Sequence, residues 1–302
     1  MVDDVFTRRL SVILVNVFYP CLILNALLSR FTLKTLLAGW ALPVAVFLIH
    51  FAGWLVGAAV LRVLAFHGRR VSPGATADPG MRPPMMRTFH FVCGVNNYSF
   101  LPIMLARPLW GDDAVACIAF GALGAEVFVW TLGLRVLSGR HDLGQLLSAP
   151  LIALFSAAFF LLARHFLPFN AAPVFIREAG GMLLSTFKTA GGATIPVSAL
   201  ICGARIGALS LRGNLAFPAW IFTGLRLLLI PAVCVAFLSF LPLSPLVRGV
   251  LFLIAVQPAA MASVPMSEVY GGDPAFAATA VFLTHLLCLA TIPLWMWWLG
   301  VV

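Results

Sequence analysis

Three ionisable side chains sit deep inside apolar runs: Glu126 in GALGAEVFVWTLG, Lys188 in the run from Gly180 to Cys202, and His285 in FLTHLLCLATIP. A charge at the centre of a membrane helix costs about 2.5–3.5 kcal/mol on insertion scales, so such groups generally mark a substrate or ion pathway. Glu126 is the first candidate for carrying a coupling proton. Lys188 would balance an anionic substrate or pair with Glu126. His285 is the second proton-coupling candidate, against the plainer role of a lone histidine bonded to a main-chain carbonyl. Arg226 is read differently. Its span is long enough for the guanidinium to snorkel toward the cytoplasm, which makes it structural.

Uncharged polar groups cluster at two further places, VNNYSFLP (Val95–Pro102) and QPAAMASVP (Gln257–Pro265). Inside lipid every main-chain N–H and C=O needs a partner, so irregular backbone survives there only when buried or lining a cavity. Proline removes a donor and biases its predecessor away from helical angles, which marks Pro102, Pro258 and Pro265 as the expected helix breaks. If both segments unwind and cross near the bilayer centre, half-helix ends meet there. Their N-terminal ends carry free N–H groups and positive dipole, which suit a carboxylate. Asn96, Asn97, Ser99 and Gln257, with Lys188, are therefore the candidate substrate-binding residues. The competing reading of either segment is an ordinary kinked helix whose amides bond between helices. Two such segments at matching positions favour a midplane binding site.

The elements that must position these groups follow from composition. Hydrophobic residues make up 62% of the 302 positions and charged residues 10%, against about 25% charged in soluble domains. Mean hydropathy is +1.05. The expected fold class is an all-α polytopic membrane protein, with no room for a soluble domain. Nine spans are expected: 9–29, 36–64, 88–106, 114–137, 148–163, 180–202, 215–241, 248–267 and 275–298. Arg8 and Arg9 lead directly into the first, so no cleavable signal peptide is expected. The stretch 67–87, rich in Gly, Pro and Arg, reads as a mobile cytoplasmic loop. Small-residue pairs such as Gly53/Gly57 and Gly121/Ala125 read as close helix packing.

The net charge of +9 does not form a basic stripe along any one segment, so nucleic acid is not an expected partner. Of the 19 Lys and Arg, 11 fall on connections that share a side with the N-terminus and six on the opposite side; Lys188 and Arg226 lie within spans. The bias puts the N-terminus in the cytoplasm of a multi-pass protein of the cell membrane. The six cysteines, Cys21, Cys93, Cys117, Cys202, Cys234 and Cys288, sit singly in apolar runs and read as small buried residues. GxxxxGK[ST], HExxH, GxSxG and Cys/His clusters of ligand spacing are absent from the sequence. No catalytic residue, metal or cofactor is therefore expected, and the chain is not read as an enzyme. Glu268 and Asp273, in SEVYGGD, read as a solvated turn that caps the last helix.

A repeat organises the spans. FYPCLILNAL around Pro20 is echoed by TIPVSALICG around Pro196, and LPIMLARPLWGDDAVA (Leu101–Ala116) by VPMSEVYGGDPAFA (Val264–Ala277). The order Pro-containing span, plain span, broken span, plain span occurs twice, with one more span ahead of the second copy. The first repeat is placed at residues 1–142 with four spans and the second at 143–302 with five. A five-span unit is odd, so successive copies insert in opposite orientations: an inverted repeat with two broken crossover helices.

These segments, together with LSVILVNVFYPCLILNAL, VFVWTLG, RLLLIPA and QPAAMASVPMSEVYGGDPAFAATAVFLTHLLCLATIP, resemble the auxin efflux carrier family, which includes bacterial malonate-type carriers. The resemblance runs over nearly the whole chain. It implies ten spans in two inverted five-helix repeats, crossed broken helices four and nine, and elevator-type movement of a transport domain against a scaffold. It also places Met1 in the loop after the family's first helix, so that helix is expected to be missing. Glu126 and Lys188 stand where many relatives carry neutral or amide side chains. The expectation is a secondary carrier of a small organic anion, such as a mono- or dicarboxylate. H+ or Na+ is the coupling ion considered, the lipid bilayer is the surrounding partner, and a homodimer is the assembly left open. The competing readings are a sodium-coupled carrier of the bile-acid type, an intramembrane enzyme using Glu126, Lys188 and His285, and a non-transporting sensor.

Overall fold

A computed structural model describes residues 4–30, 32–34, 39–71, 83–139, 149–166, 173–207 and 217–300. Among these the chain is helical almost throughout and contains no strand. The helices are α1 (Asp4–Ile13), α2 (Tyr19–Arg30), α3 (Ala41–Val71), α4 (Pro83–Gly94), α5 (Phe100–Phe128), α6 (Leu134–Ser138), α7 (Ala149–Phe166), α8 (Val174–Gly192), α9 (Thr194–Gly207), α10 (Phe217–Gly224), α11 (Ile230–Ser239), α12 (Pro245–Ala255), α13 (Ser263–Val269) and α14 (Pro274–Trp298). Widened π-turns at Leu14–Phe18, Val129–Gly133 and Leu225–Leu229 join α1 to α2, α5 to α6 and α10 to α11.

Five of the resulting helices are long and apolar enough to cross a membrane unaided: Val5–Ser29, Ala41–Leu64, Asp113–Ser138, Phe217–Ser239 and Pro274–Trp298. The remaining apolar segments are interrupted or shorter. The expected span 88–106 divides into α4 and the start of α5, and 248–267 divides into α12 and α13. The sixth span differs from expectation at its start. Helix α8 begins at Val174 rather than Gly180, because Arg177 and Glu178 are carried on helical backbone instead of in a loop. The expected loop 67–87 also shrinks, since α3 runs on to Val71 and α4 begins at Pro83; its centre lies outside the described residues.

A turn at a glycine follows each broken span. Gly111 and Gly271 each take φ of +74°, a left-handed conformation that side chains with a Cβ adopt at a cost. Gly111 divides α5 into a short half-helix and the following span. After Gly271, Asp273 caps α14 by accepting from the Phe276 N–H at 3.0 Å, as the turn reading anticipates.

Packing divides the helices into two groups. The first comprises α1, α2, α7, α8 and α9, with α2 laid against α7 and α8. The second comprises α3–α6 and α10–α14, built around α3 against α4 and α5, α5 against α12, and α13 against α14. The groups touch chiefly where α1 and α9 meet α13 and where α9 meets α14. Burial is concentrated in the second group, where every residue from Gly249 to Ala255 is buried. Phe155, Phe159, Met182 and Leu183 of the first group are exposed apolar side chains, as a helix facing hydrocarbon requires.

At one end of the second group Arg87 fastens three elements. Its Nε donates to the Leu137 carbonyl at 3.1 Å and its Nη2 to the Gly271 carbonyl at 2.7 Å. Beside it the Thr88 hydroxyl accepts the Asp273 N–H at 2.7 Å. Hydrogen bonds from a charged donor contribute about 1.5–3 kcal/mol, less where water competes. Arg87→Met is accordingly expected to lower stability by about 1–3 kcal/mol, read as an earlier thermal unfolding midpoint of the purified protein. An unchanged midpoint would show that the staple contributes nothing.

Candidate functional site

The two broken helices cross, and their unwound stretches pair with each other. Helix α4 stops at Gly94 and α5 starts at Phe100; α12 stops at Ala255 and α13 starts at Ser263. Between these ends Asn96 and Ala259 form an antiparallel bridge. The Asn97 N–H donates to the Pro258 carbonyl at 2.9 Å and the Ala260 N–H to the Val95 carbonyl at 3.4 Å. The Ala259 N–H is taken by the Thr284 hydroxyl at 3.2 Å. The backbone polar groups freed by unwinding thus find partners inside the protein, the condition for irregular backbone at membrane depth. Pro258 sits within the crossing, where its missing N–H leaves nothing unpaired.

Pro102 and Pro265 act otherwise than expected. Each is the third residue of the restarting helix, α5 and α13 respectively, and the residue before each is helical. An N–H in the first turn has no intrahelical acceptor, so proline costs nothing there and pre-sets the helical φ. These prolines start the second half-helices; the breaks are made by residues 95–99 and 256–262.

Asn96 and Gln257 occupy corresponding positions, each two residues beyond a half-helix end. The Asn96 amide donates to the Ile254 carbonyl at 2.6 Å and the Gln257 amide to the Leu253 carbonyl at 2.8 Å. Both side chains are buried, and both amide oxygens are without a hydrogen-bond partner. Asn97 is looser. Its Oδ1 accepts the Leu101 N–H at 3.4 Å and its Nδ2 lies 3.5 Å from His285 Nε2. The other His285 nitrogen lies 2.9 Å from the Val281 carbonyl, which holds the ring.

Glu126 lies at the same place. Tyr98 Oη donates to one carboxyl oxygen at 2.6 Å and Trp130 Nε1 to the other at 2.7 Å. Trp130 follows four residues later, on the same helix face, in the π-turn. Asn96, Asn97, Tyr98, Ser99, Glu126 and Ala260–Ala262 line one side of a narrow cleft of about 40 Å³, and Tyr19, Leu22 and Ile195 close the other. Six of the ten candidates, Asn96, Asn97, Ser99, Glu126, His285 and Pro258, therefore meet at or beside the crossover, and Gln257 supports it from within the protein.

Lys188 does not join them. It is exposed on α8 and lines no part of the cleft, and Glu126 is held by Tyr98 and Trp130 rather than by a lysine. Helix α8 is largely exposed on all but a narrow side, so its depth in the sequence carried no information about direction. An enzyme that used Glu126, Lys188 and His285 together would need a convergence this arrangement lacks.

Arg226 also departs from expectation. It is 1% exposed and turned into the protein, not toward a membrane surface. Its Nη1 donates to the Cys93 carbonyl at 3.2 Å and its Nη2 to the Ala255 carbonyl at 2.9 Å, the last turns of α4 and α12. Tyr98 and Trp130 were not singled out from the sequence, and Arg226 was read only as a snorkelling side chain. Two signals were available: Arg226 is a strong cation in the middle of FTGLRLLLIPA, and Trp130 follows Glu126 at helical spacing.

No curated protein matches the chain. The family described as membrane transport protein matches it twice, over residues 1–148 and again over residues 143–296. The two matches together span nearly the whole length, and each includes one of the two broken helices that cross here. The chain belongs to this family of membrane transport proteins, that of the auxin efflux carriers.

Proposed function

We propose that the chain is a secondary carrier that moves a small organic anion, a mono- or dicarboxylate, across the cytoplasmic membrane, with its N-terminus inside and its two repeats meeting near residue 143. The observation that carries this reading is the position of the cleft. One wall comes from the broken helices and Glu126, the other from Tyr19, Leu22 and Ile195 of the first helix group. A site on the seam between two helix groups opens to alternate sides when one group slides against the other, which is the elevator form of alternating access. At about 40 Å³ the cleft has room for a few waters at most, so cargo enters only when the groups part.

The start of α5 opens on this cleft beside Ser99, and the N-terminal end of a helix favours negative charge. Asn97 and Ser99 are the polar contacts to cargo. Asn96 and Gln257 hold the crossing, and Glu126 with His285 carries the coupling proton. Uptake of labelled malonate by proteoliposomes, in competition with a panel of mono- and dicarboxylates, tests the reading. Saturable uptake displaced by one member supports it, and no flux or competition with any of them would sink it. Dependence on sodium in place of a pH gradient would move the assignment to a bile-acid-type carrier.

Glu126→Gln keeps the shape and one acceptor for Tyr98 or Trp130 while removing the exchangeable proton. Exchange of labelled for unlabelled anion should continue in this variant. Accumulation driven by a pH gradient should fall on the order of tenfold or more, since buried carboxyls serve as proton relays in such carriers. Unchanged pH-driven accumulation would remove Glu126 from the coupling role.

A further inference from the structure

Arg226 is buried, and its hydrogen bonds run to main-chain carbonyls rather than to a carboxylate. A cation in that setting needs negative charge from somewhere. The two carbonyls it reaches supply it. Cys93 lies in the last turn of α4 and Ala255 ends α12, so both carbonyls belong to C-terminal half-helix ends, each equivalent to about half a negative elementary charge. Two such ends facing one guanidinium come to about one charge against one. The fork of the guanidinium is also suited to grip two acceptors at once, which an ammonium does less well.

The local chain explains how the side chain arrives there. Pro231 has no N–H to donate to the carbonyl of Leu227, which is taken instead by Trp295 Nε1 at 2.8 Å. The turn just before it widens to a π-turn, Leu225–Leu229, with the Ile230 N–H bonded to the Leu225 carbonyl. Arg226 projects from that widened turn between the ends of the two half-helices, and Trp295 of α14 anchors it from outside.

In transporters with discontinuous helices, unwound carbonyls and C-terminal half-helix ends are the groups that coordinate a coupling cation. We propose that Arg226 is a positioning residue, a tethered cation that takes this place and joins the two half-helix ends, so that the crossover is held without a dissociable metal cation. Removing the guanidinium converts the place into a binding site for a small monovalent cation of matching shape, with free guanidinium the best fit. The inference goes beyond the anion-carrier reading, and its test needs no cargo.

The test is thermal unfolding of the purified chain in lipid nanodiscs, followed by tryptophan fluorescence. Wild type should unfold at the same temperature in sodium, potassium or choline chloride at equal ionic strength. Arg226→Ala should unfold several degrees earlier, and guanidinium at low millimolar concentration should restore part of that shift saturably while leaving wild type unmoved. A role in packing alone gives no such rescue. Wild-type stabilisation specific to sodium, or a destabilised Arg226→Ala that guanidinium leaves unchanged, would overturn the proposal. Should Arg226→Ala give no folded protein, Arg226→Lys and Arg226→Gln decide: the lysine variant should be the more stable, and equal stability of the two overturns the proposal.

Discussion

Asn97→Ala is expected to yield a carrier that inserts and folds normally and transports its anion about 10- to 100-fold more slowly, the loss that follows when a charged ligand forfeits one hydrogen bond of about 1.5–3 kcal/mol. Asn97 does different things with its backbone and with its side chain. The main-chain N–H, bonded to the Pro258 carbonyl at 2.9 Å, belongs to the crossing and survives in alanine. The side-chain contacts, to the Leu101 N–H at 3.4 Å and His285 at 3.5 Å, are long, so little stability rests on them. The amide lines the cleft, where cargo would draw those contacts tighter. Asn96→Ala should behave in the opposite way. Its amide makes a 2.6 Å bond to the Ile254 carbonyl across the crossing, so the main result should be lower stability. Initial rates of malonate counterflow, set beside size-exclusion profiles of both variants, distinguish the two. Wild-type flux in a folded Asn97→Ala variant would put the cargo elsewhere.

The crossing was legible because its causes are local. Asn, Ser, Gln and Pro inside runs that are otherwise apolar cannot be comfortable in lipid unless the backbone opens, and the motif occurs twice. The role of each proline was less legible. Proline is compatible with both the middle of a break and the first turn after it, and only the helix starts at Phe100 and Ser263 decide between them.

What stayed hidden depends on contacts distant in sequence or on the facing of a helix with no clear polar side. Glu126 stands out within its apolar run, but its partner Tyr98 lies 28 positions earlier, with the kink at Gly111 between them. Trp130, four positions on, was within reach of helical spacing alone. Lys188 and Arg226 face the opposite ways from those expected. Both are cations in apolar helices, and depth along the helix says nothing of which way a side chain turns. Lys188 faces outward on a helix with little buried surface, whereas Arg226 finds two half-helix ends to hold it, ends that exist only once both breaks have formed.

Gly124→Ala is expected to cost more than any single polar change proposed above, although it adds one methyl group. A Cβ on Gly124 would land on the Pro43 carbonyl oxygen, with the Pro43 carbonyl carbon at 2.7 Å and the Phe47 nitrogen at 2.9 Å. All three are main-chain atoms of α3, so no side chain can turn aside and the two helices themselves must separate. Overpacking costs about 1–3 kcal/mol when side chains can adjust, and more is expected where backbone must move. Gly53, on the same helix as Pro43, makes a similar approach to the Cys93 carbonyl, one of the two that Arg226 grips. Parting α3 from α5 would therefore strain the seat of the crossover as well. Gly181 on α8 supplies the contrast, with nothing within 4 Å of its added Cβ. Gly181→Ala should leave stability unchanged or raise it, by up to about 1 kcal/mol from helix propensity. Monodisperse yield after detergent extraction, with the unfolding midpoint of whatever is recovered, measures both. A Gly124→Ala protein as stable as wild type would mean that α3 and α5 are not held in this close contact, and the geometry that positions Glu126 beside Tyr98 would have to be redrawn.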